Sequence, residues 1–186
     1  MTNNQIRENY RQHEILARFY KGDFHGRVWR GKELVYETVG ETLEDTADKL
    51  KQFVDNQIEE LALNSGSTPD EVGLLEGLRI IISELSDGQR AMLKAHYYAE
   101  NQTMTATQLA AAAGYANYNA VNLQYGNVGK ALFELNPIDL PKRVDGSPIY
   151  TCYLAEASED NESEEHWHWK LRPEVSKSIE ILGLHT

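Results

Sequence analysis

The residues best suited to bind a metal are His166 and His168, which alternate with Trp167 and Trp169 close to Glu164. On a strand this alternation puts both histidines on one side and both tryptophans on the other. Two imidazoles and a carboxylate suit a divalent metal. A simpler reading places the tryptophans in the core and the histidines in water, so we assign no metal and no other cofactor. His13, His25 and His96 show no partner in the sequence. No Asp or Glu is followed two positions later by Lys, which removes the [DE]-x-K arm of a common metal-dependent nuclease site. A Walker loop, a nucleophile elbow and a C-x-x-C pair are also missing. The expectation is a protein that is not an enzyme.

Two other groups of residues suit recognition. Asn117, Tyr118, Asn119, Asn122, Gln124, Tyr125, Asn127 and Lys130 lie within one short segment. Asn and Gln pair with adenine edges, Tyr stacks or contacts phosphate, and Lys neutralises phosphate. The plain alternative is a solvated helix face with its tyrosines half in the core. The second group is acidic: Glu156, Glu159, Asp160, Glu162, Glu164 and Glu165, with no cation among them. Such a run fits the basic groove of a nucleic-acid-processing protein complex, or is a solvated loop.

The net charge is −11. Residues 1–64 carry 9 basic and 12 acidic side chains, residues 65–135 carry 4 and 7, and residues 136–186 carry 5 and 10. No segment has the basic surplus expected of a plain nucleic-acid binder. Lys130 is the only cation between Lys94 and Lys142, and the acidic run repels a phosphate backbone. The single Cys152 rules out an internal disulfide and fits a reducing cytoplasm. It lies in the apolar stretch Ile149–Leu154, where it reads as core packing. The polar N-terminus lacks the apolar segment of a secretory signal, and no apolar run is long enough to cross a membrane.

The elements that must position these residues read as α+β, mostly helical. Ile6, Tyr10, His13, Leu16 and Ala17 have helical spacing. Lys21-Gly22-Asp23 breaks that pattern, and residues 24–39 read as a β-hairpin turning at Arg30-Gly31-Lys32. Thr42 then caps a helix with the stripe Leu43, Ala47, Leu50, Val54, Ile58 and Leu61. Residues 1–64 are thus expected to form an α-β-β-α region, and residues 64–67 a linker. Residues 68–186 read as a helical region with a winged helix-turn-helix. Thr68-Pro-Asp-Glu starts a helix to about Leu85, and Ser86-Asp-Gly-Gln another to about Ala99. Thr105-Ala-Thr-Gln starts a short supporting helix that stops at Gly114, a left-handed cap. Residues 119–135 form the recognition helix. Strands over 148–155 and 166–171 flank the acidic run as a wing, and Pro173 opens a last helix closed by Gly183.

Within this part, Thr105-Ala-Thr-Gln-Leu-Ala-Ala-Ala-Ala-Gly-Tyr and Asn119-Ala-Val-Asn-Leu-Gln-Tyr-Gly-Asn-Val-Gly-Lys-Ala-Leu resemble the winged-helix module of bacterial restriction-type proteins, where it is often joined to an HNH nuclease. Trp169-Lys-Leu-Arg-Pro-Glu-Val resembles the strand-to-helix end of that module. The resemblance covers residues 86–183 and implies a nucleic-acid-recognition or accessory role; the catalytic HNH part has no match here. In its acidity the chain also resembles phage anti-CRISPR and anti-restriction inhibitors. The expected function is therefore a cytoplasmic, non-enzymatic protein that binds or acts beside DNA in bacterial defence or counter-defence. The alternatives are an acidic inhibitor of a nucleic-acid-processing complex and a dimerisation or scaffold module, with a homodimer possible.

Overall fold

A computed structural model describes residues 4–158 and 167–186. The chain is α+β and divides into two compact units, Met1–Leu63 and Asn64–Thr186. No helix among the described residues is long and apolar enough to cross a membrane.

The first unit is an antiparallel sheet in chain order, β1 (Gln5–Tyr10), β2 (His13–Tyr20), β3 (Asp23–Arg30) and β4 (Glu33–Gly40), followed by helix α1 (Leu43–Asn64). Residues 24–39 form the expected hairpin. The expected helix over 6–20 is instead a second hairpin. Its turn is Arg11-Gln12, both at positive φ (46° and 61°), the primed geometry that matches strand twist. Neither residue is the Gly or Asn that normally marks such a turn, so the sequence shows no break there. His13, Ile15 and Ala17 are buried at a spacing of two, and residues 13, 16 and 17 fit a helical spacing as well.

One face of this sheet is built for α1. Ile15, Ala17 and Val28 on the strands, and Ala47, Leu50, Val54 and Ile58 on α1, are buried. The Tyr36 and Phe53 rings stack at 4.0 Å. Gly26 lies opposite Ala17, and a Cβ there would meet the Thr46 and Leu50 side chains, so glycine sets how closely α1 approaches. Leu61, the last residue of the expected stripe, is 45% exposed.

The second unit contains α2 (Glu71–Ile81), α3 (Asp87–Tyr98), strand β5 (Thr103–Thr105), α4 (Ala106–Ala113), α5 (Tyr118–Leu135), β6 (Ala155–Ala157), β7 (His168–Leu171) and α6 (Pro173–Ile181). Two of the three capping boxes expected from the sequence are present: Ser86 with Gln89, and Thr105 with Gln108. Gly114 closes α4 at φ 69°. The start of α2 differs from expectation. Asp70, not Thr68, is the N-cap, its carboxylate accepting from Val72 and Gly73 N–H at 3.1 and 2.9 Å. The same carboxylate accepts from Asn136 Nδ2 at 3.2 Å, a tertiary tie that favours Asp70 over Thr68.

β5, β7 and β6 form a three-stranded antiparallel sheet in that order. The three residues of β5 are too few for a sequence pattern. The expected strand over 148–155 is corrected. Pro148 makes only an isolated bridge with Lys142, Tyr150–Tyr153 make a 3-10 turn, and pairing with β7 begins at Ala155. The turn is held by Tyr153, whose buried hydroxyl donates to the Asn136 carbonyl at 2.9 Å, and by Arg172 Nε, which donates to the Cys152 carbonyl at 2.9 Å. Cys152 is half-buried there, and burial pushes its thiol up from the usual range.

Candidate nucleic-acid interface

Helix α5 is amphipathic for reasons visible in its neighbours. Val121, Tyr125, Val128, Leu132 and Phe133 are buried. Gly129 touches the Tyr150–Tyr153 turn: a Cβ at Gly129 would overlap the Tyr150 carbonyl, so only glycine lets the turn lie against the helix. Asn119, Asn122, Leu123, Asn127 and Lys130 are exposed. The last four lie three, four, eight and eleven positions after Asn119, which puts all five on one face.

Of the eight residues expected to recognise nucleic acid, five are exposed: Tyr118, Asn119, Asn122, Asn127 and Lys130. Three have structural duties. Asn117 is the N-cap of α5, its Oδ1 accepting from Asn119 and Ala120 N–H at 3.0 and 3.2 Å. Gln124 is half-buried, and its Oε1 accepts from Gln89 Nε2 at 3.2 Å, tying α5 to α3. Tyr125, expected on the recognition face, is instead 0% exposed and packs in the core.

Tyr125 belongs to a buried polar cluster that joins three elements. His96 on α3, also 0% exposed, lies with Nδ1 2.8 Å from the Tyr125 hydroxyl and Nε2 2.9 Å from the Trp169 carbonyl. A carbonyl only accepts, so Nε2 carries the proton and Nδ1 accepts from the Tyr125 O–H. Burial lowers the His96 pKa to about 4, outweighing the bond to the Trp169 carbonyl. Burial raises the Tyr125 phenol well above its ordinary value, which keeps it a donor. The Tyr125 ring also stacks on Trp169 at 5.7 Å.

The polar face of α5 borders a shallow cleft. Asn122, Leu123, Gly126, Asn127 and Lys130 form one wall, and Arg143, Tyr150 and Thr151 the other. Sequence reasoning missed Arg143. It is held by a turn in which its N–H donates to the Ser147 carbonyl at 2.8 Å and its Nη1 donates to the Pro148 carbonyl at 2.7 Å. The signal that could have found it is the Lys142-Arg143 pair just before the turn residues Asp145-Gly146-Ser147. Lys130 Nζ lies 3.9 Å from Glu134 Oε1, a weak pairing across a half-exposed surface. Leu123, 61% exposed in the middle of a polar face, is the second residue missed.

The acidic group and the tryptophans differ in part from expectation. Glu156 lies on β6, exposed, 3.7 Å from Arg172 Nη1. Glu159, Asp160, Glu162, Glu164, Glu165 and His166 fall outside the described residues. Trp169 packs against the core as expected, whereas Trp167, at 49% exposure, does not. β7 begins only at His168, so Trp167 lies before the paired segment. Among the described residues no group of three His, Cys, Asp or Glu side chains is placed to hold a metal.

The cleft thus offers amides at base-edge spacing, one apolar side chain between them and two cations on opposite walls. That set can pair with base edges, touch a thymine methyl and neutralise phosphates. Comparison with family models, with curated proteins and with solved structures finds no match to the chain.

Proposed function

We propose that the chain is a non-enzymatic DNA-recognition protein whose second unit is a winged helix-turn-helix, with α4 as the supporting helix and α5 as the recognition helix. The observation that carries this reading is the strand order β5–β7–β6. The strand between α3 and α4 pairs with the last strand, and β6 lies outside it, so the hairpin is fastened to the helical core beside α5. Further support comes from the exposed face of α5, where Asn119, Asn122, Asn127 and Lys130 lie together, with Arg143 across the cleft. The setting in bacterial defence or counter-defence rests on the sequence resemblance alone.

Duplex binding measured by anisotropy at low salt tests the reading. Lys130→Glu is expected to weaken binding to all sequences alike and to reduce the salt slope by about 1, because a phosphate contact carries no base information. Asn122→Ala is expected to flatten base preference, by about 1–3 kcal/mol at one position. Failure of the wild type to bind any duplex at low salt sinks the proposal.

The net charge of −11 favours a second reading, in which the acidic run fills a basic groove of a nucleic-acid-processing complex. Neutralising Glu159, Asp160, Glu162 and Glu164 to Gln or Asn separates the two. If the wing faces DNA, the change raises duplex affinity. If a basic protein groove is the target, it slows association with a partner co-purified from nuclease-treated bacterial lysate, most strongly at low salt. A variant equal to wild type in both measurements leaves the run as a solvated loop.

A further inference from the structure

The sheet of the first unit has a second face, opposite α1. Strand alternation and the register Leu16↔Arg27 and Arg18↔His25 put Leu16, Arg18, Tyr20, His25 and Arg27 on it. These five side chains line one shallow depression. The Tyr20 ring is 46% exposed and lies edge-on to His25 at 6.1 Å. The Arg18 guanidinium sits over that ring at 4.9 Å, and Lys21 Nζ lies 5.3 Å from it. Arg27 Nε donates to Glu37 at 2.6 Å, whereas Arg18 meets no carboxylate among the described residues.

Charge is distributed unevenly across this unit. Residues 4–40, the strands and their turns, carry seven basic and five acidic side chains. Residues 41–63, which include α1, carry two and seven. The open face itself carries Arg7, Arg18 and Arg27 with Glu14, Asp23 and Glu37. Arg7 and Arg27 pair with Glu14 and Glu37, which leaves Arg18 and Lys21 beside the exposed Tyr20 ring.

From this face we infer a second binding site, one for single-stranded nucleic acid. A single strand presents its phosphates at one edge and unpaired bases at the other. Tyr20 and His25 offer stacking surfaces that tolerate any base, and Arg18 and Lys21 beside them can meet the backbone. The broad, shallow face suits a splayed strand, and its cations complement a polyanion that the α1 side would repel. An acidic protein surface would share the charge and lack the stacking.

Fluorescence anisotropy of the full chain with a labelled oligothymidylate at low salt tests this. Wild type is expected to bind with strong salt dependence. Arg18→Glu and Tyr20→Ala are each expected to weaken binding by about tenfold, and Arg18→Lys to retain most of it. Both residues are surface positions, and unchanged circular dichroism checks that the variants fold. Lys130→Glu is expected to leave single-strand binding unchanged, so failure of the duplex proposal and failure of this one are distinguishable. The inference is overturned if wild type does not bind the oligonucleotide, or if binding is indifferent to Arg18 and Tyr20. It is equally overturned if a poly-glutamate chain competes as well as the oligonucleotide does, which would assign the face to acidic protein.

Discussion

Lowering the pH from 7 to 4 is expected to destabilise the second unit by about 3 kcal/mol through His96 alone. In the folded state the ring is fully buried and neutral, and its pKa is about 4. In the unfolded chain the ordinary value is about 6.5. A base whose folded pKa is depressed stabilises the fold fully above the unfolded value. That contribution is lost as the pH falls from about 6.5 to about 4, because the unfolded chain takes up the proton and the folded one does not. Below about 4 both states are protonated and this contribution no longer changes. Denaturant titrations across this range measure it, with Trp29→Phe leaving Trp167 and Trp169 of the second unit as reporters. Carboxylates titrate in the same window, so the comparison is with His96→Gln, which has no titrating ring. The variant should be less stable at pH 7 and show a shallower loss on acidification. Equal pH slopes in both proteins would refute the role given to His96.

The second large effect is expected at Gly129. In an exposed helix interior, Gly→Ala stabilises by about 1 kcal/mol. At Gly129 the sign should reverse. The new methyl would overlap the Tyr150 carbonyl and press on the Tyr153 side chain, and backbone cannot move aside as a flexible side chain does. We expect Gly129→Ala to cost about 3 kcal/mol. The neighbouring Gly126 is the control. A methyl there meets only the Thr151 Cγ2 at 3.8 Å, an ordinary contact. Gly126→Ala should therefore be neutral or stabilising by up to about 1 kcal/mol. Thermal denaturation of the two variants decides it, and a Gly129→Ala protein as stable as wild type would show that the turn does not lie against α5 as described. Packing explains the tyrosine and the second glycine of the string Tyr-Gly-x-x-Gly. Tyr125 is there for His96 and Trp169, and Gly129 for the Tyr150–Tyr153 turn. Both meet partners distant in sequence.

Local chemistry made much of this fold legible in the sequence. Ser86, Thr105 and Gly114 form their caps with residues at most four or five positions away, so their interactions are written in the sequence itself. The hairpin of β3 and β4 shows in its Gly31 turn, and α1 in an apolar stripe that needs only one partner face. Elsewhere the deciding contacts are distant. The first hairpin turns at Arg11-Gln12, where no Gly or Asn marks the turn, so pairing with β3 had to decide between strand and helix. Thr68 and Asp70 are both good caps, and Asn136 selects Asp70. β5 is three residues long and exists because β7 pairs with it. In the candidate interface, composition located α5 and its polar residues. It did not separate Tyr125, buried against His96, from Tyr118 on the surface, since a tyrosine suits either place and only packing chooses. Nor did it place Arg143 across the cleft from Lys130, because that depends on the chain turning back along α5.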